Sequence, residues 1–127
     1  MEPAPYRNDG TKEVIAAVLE VHRLLGPGLL ESAYEECLCY EFELRGMIYE
    51  RQRPLPVIYK GKKLDCGYRL DVVVQNNILL ELKSVEKLLP IHEAQLLTYL
   101  RLSGIRTGLL INFNSPLVKD GIKRISL

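Results

Sequence analysis

The first third of the chain places its apolar residues at helical spacing. They recur every three to four positions, at Val14, Val18, Val21 and Leu25. This period predicts a helix that begins at Thr11, with Asp9 or Thr11 available to cap its N-terminus. The helix must end at Gly26-Pro27-Gly28, because proline lacks a backbone donor and two glycines flank it.

Two more helices are predicted from the same kind of pattern. The second runs from about Leu30 to Arg45, and Gly46 follows where a C-terminal cap belongs. Its apolar positions repeat every four residues, at Leu30, Tyr34, Leu38 and Phe42. The third runs from Pro90 to about Ser103, since proline is favoured in the first turn and Gly104 can close the helix.

From Ile48 onward the apolar period changes to two, which predicts strands. A short hairpin turns at Lys60-Gly61, and Pro54 and Pro56 restrict the stretch before it to an edge or irregular strand. Two longer strands then pair about the turn Gln75-Asn76-Asn77. This part of the chain is therefore predicted to form antiparallel hairpins.

The end of the chain alternates strand, helix and strand. The strands Ile78 to Val85 and Thr107 to Phe113 flank the third helix, and such a passage implies a parallel pairing. The tail after Pro116 adds a further strand or turn. The predicted class is α/β, with a central mixed sheet flanked by helices. Residues 11–127 are predicted to form one domain, and residues 1–10 a flexible lead.

Composition adds no strong preference for a partner. The 127 residues are 47% hydrophobic and 26% charged, as in ordinary globular proteins, and the formal net charge is +1. A net charge so near zero gives no long-range attraction to nucleic acid or to acidic membranes. Binding to nucleic acid would need a local basic patch, for which the alternative is a solvated hairpin tip. The residues that could form it are Lys60, Lys62, Lys63 and Arg69, with Arg51 and Arg53.

The three cysteines, Cys37, Cys39 and Cys66, are odd in number and lack the spacing of a metal site. They are predicted to be buried, unreactive thiols of a protein in a reducing compartment. The sequence also shows no signal peptide and no apolar run long enough to span a bilayer. These features predict a cytoplasmic location and no membrane partner.

Two carboxylates and a lysine carry the chemistry of the longer hairpin. Asp71 and Glu81 lie equally far from Asn76, so pairing about that turn brings the two acids opposite each other. Opposed like charges cost stability, which favours a cation between them. Lys83 points to the same side as Glu81, because strand side chains alternate. The sequence therefore predicts a Mg²⁺ or Mn²⁺ site that handles a phosphate, with the backbone carbonyl of Leu82 as a further ligand.

The same register leaves one pair of like charges unexplained. It places Arg69 opposite Lys83, so either the strands splay apart there or an anion such as a substrate phosphate lies between them. A non-functional alternative also stands, in which Glu81 and Lys83 are the solvated face of a half-exposed strand. The sequence does not choose among these.

The helices offer further candidates. Glu31 and Tyr34 share a helix face, and the helix dipole favours a carboxylate in the first turn. His92, Gln95 and Tyr99 share one stripe of the third helix. The alternatives are that Glu31 only caps its helix, and that Tyr99 is core with Gln95 and His92 at its margin. His92 has no partner at zinc spacing, and no phosphate loop or nucleophile motif is present, which disfavours zinc, nucleotide-triphosphate and covalent chemistry.

Together these motifs resemble a known family. Asp71 and Glu81-Leu82-Lys83, on consecutive strands between helices, resemble the PD-(D/E)XK nuclease superfamily. The segment Gly28-Leu-Leu-Glu31-Ser-Ala-Tyr34 matches the signature of the GxxExxY protein family, and Gly108 to Phe113 is similar to the closing strand of that family. The resemblance covers the chain from about Thr11 onward. Leu70 stands where the first motif of the superfamily has proline, a position that varies among its members.

The resemblance implies a restriction-endonuclease-like core and a metal-dependent nuclease that hydrolyses phosphodiester bonds in DNA or RNA, with DNA the favoured partner. Asp71 and Glu81 would hold Mg²⁺ or Mn²⁺, and Glu31 would bind the metal directly or through water. Lys83 would assist the nucleophile, and Gln95 would orient water or phosphate. The positions expected to line the site are Tyr34, Arg69, His92 and Tyr99. The alternative is an inactive nucleic-acid-binding or protein-interaction module on the same fold, and a homodimer or a protein partner stays open.

Overall fold

The computed structural model describes residues 9–127, so most of the predicted lead, residues 1–10, lies outside the described residues. Three α-helices form in this range: α1 (Thr11–Leu25), α2 (Glu31–Leu44) and α3 (Pro90–Ser103). The strands are β1 (Tyr49–Pro54), β2 (Val57–Tyr59), β3 (Lys62–Leu64), β4 (Arg69–Val74), β5 (Ile78–Lys83), β6 (Thr107–Asn112) and β7 (Ile122–Ser126). A 3₁₀ turn, Val118–Gly121, precedes β7.

A five-stranded sheet, in the order β1-β4-β5-β6-β7, forms the centre of the fold. Its neighbouring strands are antiparallel except β5 and β6, which α3 connects as the expected parallel pair. β2 and β3 form a separate hairpin that turns at Lys60-Gly61, where both residues have the positive φ that tight hairpins require. The predicted α/β class, a central mixed sheet flanked by helices, is confirmed.

The helices bury opposite faces of the sheet. α1 and α2 cover one face, in a cluster that includes Leu80 and Leu82 of β5. α3 covers the other face, where Leu79 of β5 belongs to the same cluster as Leu96. Successive β5 side chains thus alternate between the two faces, and this alternation directs Glu81 toward α3.

The helix boundaries follow the prediction within a residue, but two apolar positions do not pack. Leu25 and Leu30 are expected in the core stripes and are exposed, Leu30 by 76%. They flank Gly26-Pro27-Gly28, whose glycines both adopt positive φ and turn the chain away from the helix axis. The N-cap residue is Gly10 rather than Asp9 or Thr11, and Asp9 just before it accepts the Thr11 N–H at 3.0 Å. None of the described helices is long and apolar enough to cross a membrane.

The cysteines depart from the expectation that all three are buried. Only Cys39 is buried, and burial raises the pKa of its thiol to about 12. Cys37 is exposed because it lies two residues away on the same helix and so faces another side. Cys66 is exposed in the connection that leads from β3 to β4. The prediction that the cysteines are buried therefore holds for Cys39 and is wrong for Cys37 and Cys66.

Candidate active site

The site begins where β4 and β5 separate. Their ladder has the register predicted from the sequence, with Val74 opposite Ile78 and Val72 opposite Leu80. The pairing ends there, one residue before Asp71 and Glu81 would face each other. β5 continues to Lys83 because β6 pairs with it on the other side. The strands therefore splay apart at the two acids, which is the first of the two outcomes left open by the sequence.

Backbone groups hold Asp71 and Glu81 in this gap. Asp71 Oδ2 accepts the Leu82 N–H at 2.9 Å, a donor that a regular ladder would have given to a strand carbonyl. A backbone hydrogen bond from Asp71 in turn lowers the pKa of Glu81. Each acid is thus tied to the strand of the other. The two carboxylates therefore lie close together at the point where β4 and β5 separate.

Glu81 is the most buried acidic side chain in the described part of the chain. Its side chain is 5% exposed, and its Oε1 is buried without a hydrogen-bond partner among residues 9–127. Burial, and then repulsion from Asp71, raise the pKa of Glu81 to about 8. Burial also raises the pKa of Asp71, and the carboxylate of Glu35 raises it further. An arrangement that disfavours ionisation of both acids favours a bound proton or cation.

Lys83 is the basic residue whose charge acts on both acids. Its charge lowers the pKa of both Asp71 and Glu81, so its ammonium lies within Coulombic range of the pair. Within the described residues this ammonium makes no ion pair or hydrogen bond, and the side chain is half-buried. The Lys83 carbonyl accepts the Phe113 N–H at 2.9 Å, which fixes the end of β5.

The connection after Lys83 is held by the buried amide of Asn112. Its Nδ2 donates to the Val85 carbonyl at 2.9 Å, and its Oδ1 accepts the Val85 N–H at 3.1 Å. Ser84 is held from the other side, because its hydroxyl donates to the Leu29 carbonyl at 2.5 Å. The end of β5 is therefore fastened both to β6 and to the start of α2.

The contacts between Ser84 and the start of α2 place Glu31 near the site. It is the first residue of α2, and its Oε2 accepts the Ser84 N–H at 3.4 Å. Its charge raises the pKa of both Asp71 and Glu81. Even so, in the range 9–127 no three His, Cys, Asp or Glu side chains are grouped closely enough to hold a metal ion. Glu31 is thus near the acid pair without completing a three-ligand cluster.

Tyr34 does not share this exposed position. Its side chain is fully buried and stacks on Phe113, with ring centroids 4.5 Å apart and planes 7° apart. Its hydroxyl donates to the Gly26 carbonyl at 2.6 Å and accepts the Leu29 N–H at 3.1 Å. Tyr34 thus holds the turn that leads into α2, and this turn sets the position of Glu31, the first residue of the helix.

Glu35 is a residue that sequence reasoning missed. It is buried on α2, and its carboxylate accepts hydrogen bonds from Arg51 and Gln52 of β1. Its charge also raises the pKa of Asp71. The available signal was its spacing of four from Glu31, which puts both acids on one side of the helix.

α3 contributes a tyrosine and a glutamine. Gln95 Nε2 donates to the Tyr99 hydroxyl at 3.0 Å. Burial, and then the charge of Glu81, raise the pKa of Tyr99, which places this hydroxyl beside the acids. His92 is occupied differently, because its Nδ1 accepts the Leu89 N–H at 2.9 Å and caps α3. Arg69 is exposed, and within residues 9–127 its guanidinium donates only to the neighbouring Tyr68 carbonyl.

Comparison with known proteins identifies the family. A family model described as the PD-(D/E)XK nuclease superfamily matches residues 8–125. The chain belongs to the PD-(D/E)XK nuclease superfamily. No curated protein and no solved structure gives a significant match to it.

PD-(D/E)XK nucleases generally use divalent metals, and the residues of this chain fit one. Mg²⁺ and Mn²⁺ prefer carboxylate oxygens and keep several waters, so two acids are a sufficient protein contribution. The buried, unpartnered Oε1 of Glu81 beside Asp71 is the kind of oxygen that a cation would satisfy. The donor set therefore suits a hard cation held by two carboxylates.

Proposed function

We propose that this PD-(D/E)XK chain is a metal-dependent nuclease that hydrolyses phosphodiester bonds, with DNA favoured over RNA as its substrate. The observation that carries the proposal is the buried Glu81 carboxylate, whose Oε1 has no hydrogen-bond partner within residues 9–127. Asp71 lies beside it, and the charge of Lys83, which makes no ion pair in the same range, acts on it. In a strand with a purely structural role, burying these three charged groups would cost free energy without any compensating gain. In a nuclease site the same groups bind the metal and the phosphate.

Asp71 and Glu81 would hold Mg²⁺ or Mn²⁺, with the Leu82 carbonyl as a further ligand and Glu31 acting through a water. The bound metal would activate the attacking water and neutralise charge on the phosphate. The Leu82 N–H fixes one oxygen of Asp71 and leaves the other for the metal. The contact between Glu31 and Ser84 supports a more distant role for Glu31, since Glu31 lies at the rim rather than between the strands.

Lys83 would act on the reacting groups themselves. Its ammonium has no competing partner in the described chain, so it is free to hydrogen-bond the attacking water or a phosphoryl oxygen. In a partly water-excluded site such a donor stabilises the charge that grows on the phosphate oxygens. Lys83 is therefore assigned the role of assisting the nucleophile.

The turn before α2 supports membership of the GxxExxY family. Its three signature positions act together, because Tyr34 bonds the backbone on both sides of Gly28 and so fixes where Glu31 begins its helix. Gly28 has φ of 104°, a conformation that other residues rarely adopt. A glycine, a glutamate and a tyrosine at this spacing thus have a structural reason to occur together.

The nuclease proposal is tested by cleavage of labelled DNA and RNA with Mg²⁺ or Mn²⁺. Cleavage is expected with either metal and should cease when a chelator is added, because the cation supplies both water activation and charge neutralisation. Restoring excess Mn²⁺ should restore the rate. An inactive binding module would give no turnover on any nucleic acid, and cleavage that persists in chelator would contradict the metal-dependent mechanism.

A second prediction concerns Gln95. Replacing it with alanine is expected to lower the cleavage rate by about 10-fold to 100-fold, because the Tyr99 hydroxyl loses its partner and no amide is left to orient water or phosphate. The melting temperature should change little, since Gln95 is only half-buried. The control is Thr98→Ala, an exposed position on the same helix. A large loss of stability in Gln95→Ala would mark the residue as structural.

A further inference from the structure

The β2–β3 hairpin stands apart from the central sheet. It forms a two-stranded sheet of its own, and most of its side chains are exposed. Its base is fixed beside the candidate active site, because the Leu55 N–H donates to the Tyr68 carbonyl at 3.0 Å. Leu55 is itself buried in the cluster that contains Tyr99. The hairpin is therefore an exposed projection whose base is anchored next to the two carboxylates.

The hairpin carries lysines that no acid of the described chain neutralises. Lys60, Lys62 and Lys63 are exposed and have no ion pair within residues 9–127. The two arginines that the sequence added to this patch are not available, because Arg51 pairs with Glu35 and Glu36 and Arg53 pairs with Glu50. Of the six basic residues predicted for this patch, the three lysines and Arg69 are therefore the ones that make no ion pair within residues 9–127.

Two exposed aromatic rings accompany these lysines. Tyr68 is 45% exposed and meets Tyr99 edge-on, with ring centroids 5.9 Å apart and planes 60° apart. This contact leaves the rest of the Tyr68 ring open to solvent, one residue away from the Tyr99 hydroxyl that Glu81 influences. Tyr59 at the hairpin turn is also exposed, and Lys60 Nζ lies 5.5 Å from its ring centroid. Tyr59 thus lies at the turn of the hairpin and Tyr68 near its base, and the three lysines lie between them in the sequence.

We infer that the site takes single-stranded nucleic acid, which runs along the β2–β3 hairpin and stacks a base on Tyr68. Proteins that bind single strands combine lysines for the backbone with aromatic rings for the bases. Stacking on a base inside a duplex would require unstacking of the base pairs, so a ring such as Tyr68 stacks at lower cost on an unpaired base. The strands of the hairpin are three residues long, about 10 Å, which suits a few phosphates of one backbone. This inference rests on the nuclease proposal for the identity of the site.

The test measures binding in chelator, so that cleavage plays no part. Fluorescence anisotropy compares labelled single-stranded DNA and RNA with duplexes of the same sequence. The wild type should bind the single strands more tightly, and Tyr68→Ala should weaken that binding by about tenfold, the size of one lost stacking contact. Tyr68→Phe keeps the ring and should bind like the wild type. Tyr40→Ala, an exposed tyrosine of α2, is the matched control.

The lysines are tested by the salt dependence of the same binding. Replacing Lys60, Lys62 and Lys63 together with alanine should reduce the slope of log affinity against log salt by up to about 2, because each contact to a single-strand phosphate contributes about 0.7. Lys119→Ala, an exposed lysine of the 3₁₀ turn, should leave the slope unchanged. If Tyr68→Ala were to lose stability, Tyr68→Leu would preserve the packing and should still bind weakly.

The outcomes separate this inference from the nuclease proposal. Equal affinity for duplex and single strand, or wild-type binding by Tyr68→Ala, would overturn the inference even if metal-dependent cleavage is observed. Tight single-strand binding that needs Tyr68, without cleavage under any metal, would support the binding surface and overturn the nuclease proposal. Absence of binding to any nucleic acid in chelator would overturn the inference, and cleavage with metal would still decide the nuclease proposal separately.

Discussion

Replacing Lys83 with alanine is expected to lower the rate of metal-dependent cleavage by about 100-fold to 1000-fold. Removal of one well-placed donor to a developing oxyanion has effects of this size. The variant should keep its fold, because the ammonium has no partner among residues 9–127 and the strand is held by backbone bonds to β6. The measurement is single-turnover cleavage with saturating Mn²⁺.

Metal binding separates this role from a general loss of the site. At a pH well above 8, where Asp71 and Glu81 are ionised, Lys83→Ala should bind Mn²⁺ as well as the wild type or better, since it removes a neighbouring positive charge. The control is Lys87→Ala, an exposed lysine four residues later. Wild-type cleavage by Lys83→Ala would remove the assigned role, and cleavage that also survives Asp71→Ala would indicate a contaminating nuclease.

Replacing Glu81 with glutamine is expected to abolish metal-dependent cleavage and yet stabilise the metal-free protein at high pH. Glu81 in the folded protein has a pKa of about 8, whereas the ordinary pKa of a glutamate is 4.5. Between these values the folded state binds more protons than the unfolded state, so its stability falls as the pH rises. Glutamine cannot ionise, and the variant escapes this loss. At pH 8.5 it should therefore melt several degrees above the wild type.

The difference between the two melting curves isolates Glu81 from other titrating groups. Without metal, the melting temperatures of wild type and Glu81→Gln should be nearly equal at pH 5 and diverge toward pH 8.5. Adding Mn²⁺ should raise the melting temperature of the wild type only, because ligand binding stabilises the folded state that binds it. Glu86→Gln, an exposed acid in the following connection, should match the wild type throughout. If the wild type instead became more stable than Glu81→Gln as the pH rises from 5 to 8.5, the raised pKa of Glu81 would be contradicted.

The fold was predictable from the sequence because its signals are local. Proline and glycine mark the ends of α3, where Pro90 begins the helix and Gly104 caps it. The Lys60-Gly61 turn and the Asn76 turn each fix the register of a hairpin, since the loop determines which residues pair. The parallel β5–β6 pair follows from the helix between them. These features need no knowledge of distant contacts.

The candidate site was less accessible because its details depend on contacts between distant residues. Helical spacing alone puts Glu31 and Tyr34 together, but the first turn lies at the protein edge, so one is exposed and the other stacks in the core. Glu35 could not be singled out, because its burial depends on Arg51 and Gln52 of a strand. The splaying of β4 and β5 was one of two options until the Leu82 N–H was seen to bond Asp71.

The central position of β5 also affects how the chain reaches its folded state. β5 is completed only when α3 has formed and β6 has returned beside it, because a parallel pair requires a crossover. Until then the segment Ile78 to Leu82 displays its apolar side chains, a composition prone to intermolecular β-aggregation. Glu81 lies within this segment and Lys83 directly after it, and charges so placed act as gatekeepers against association. The buried Glu81 that costs stability in the folded site is thus also a charge that makes the unfolded segment less prone to associate.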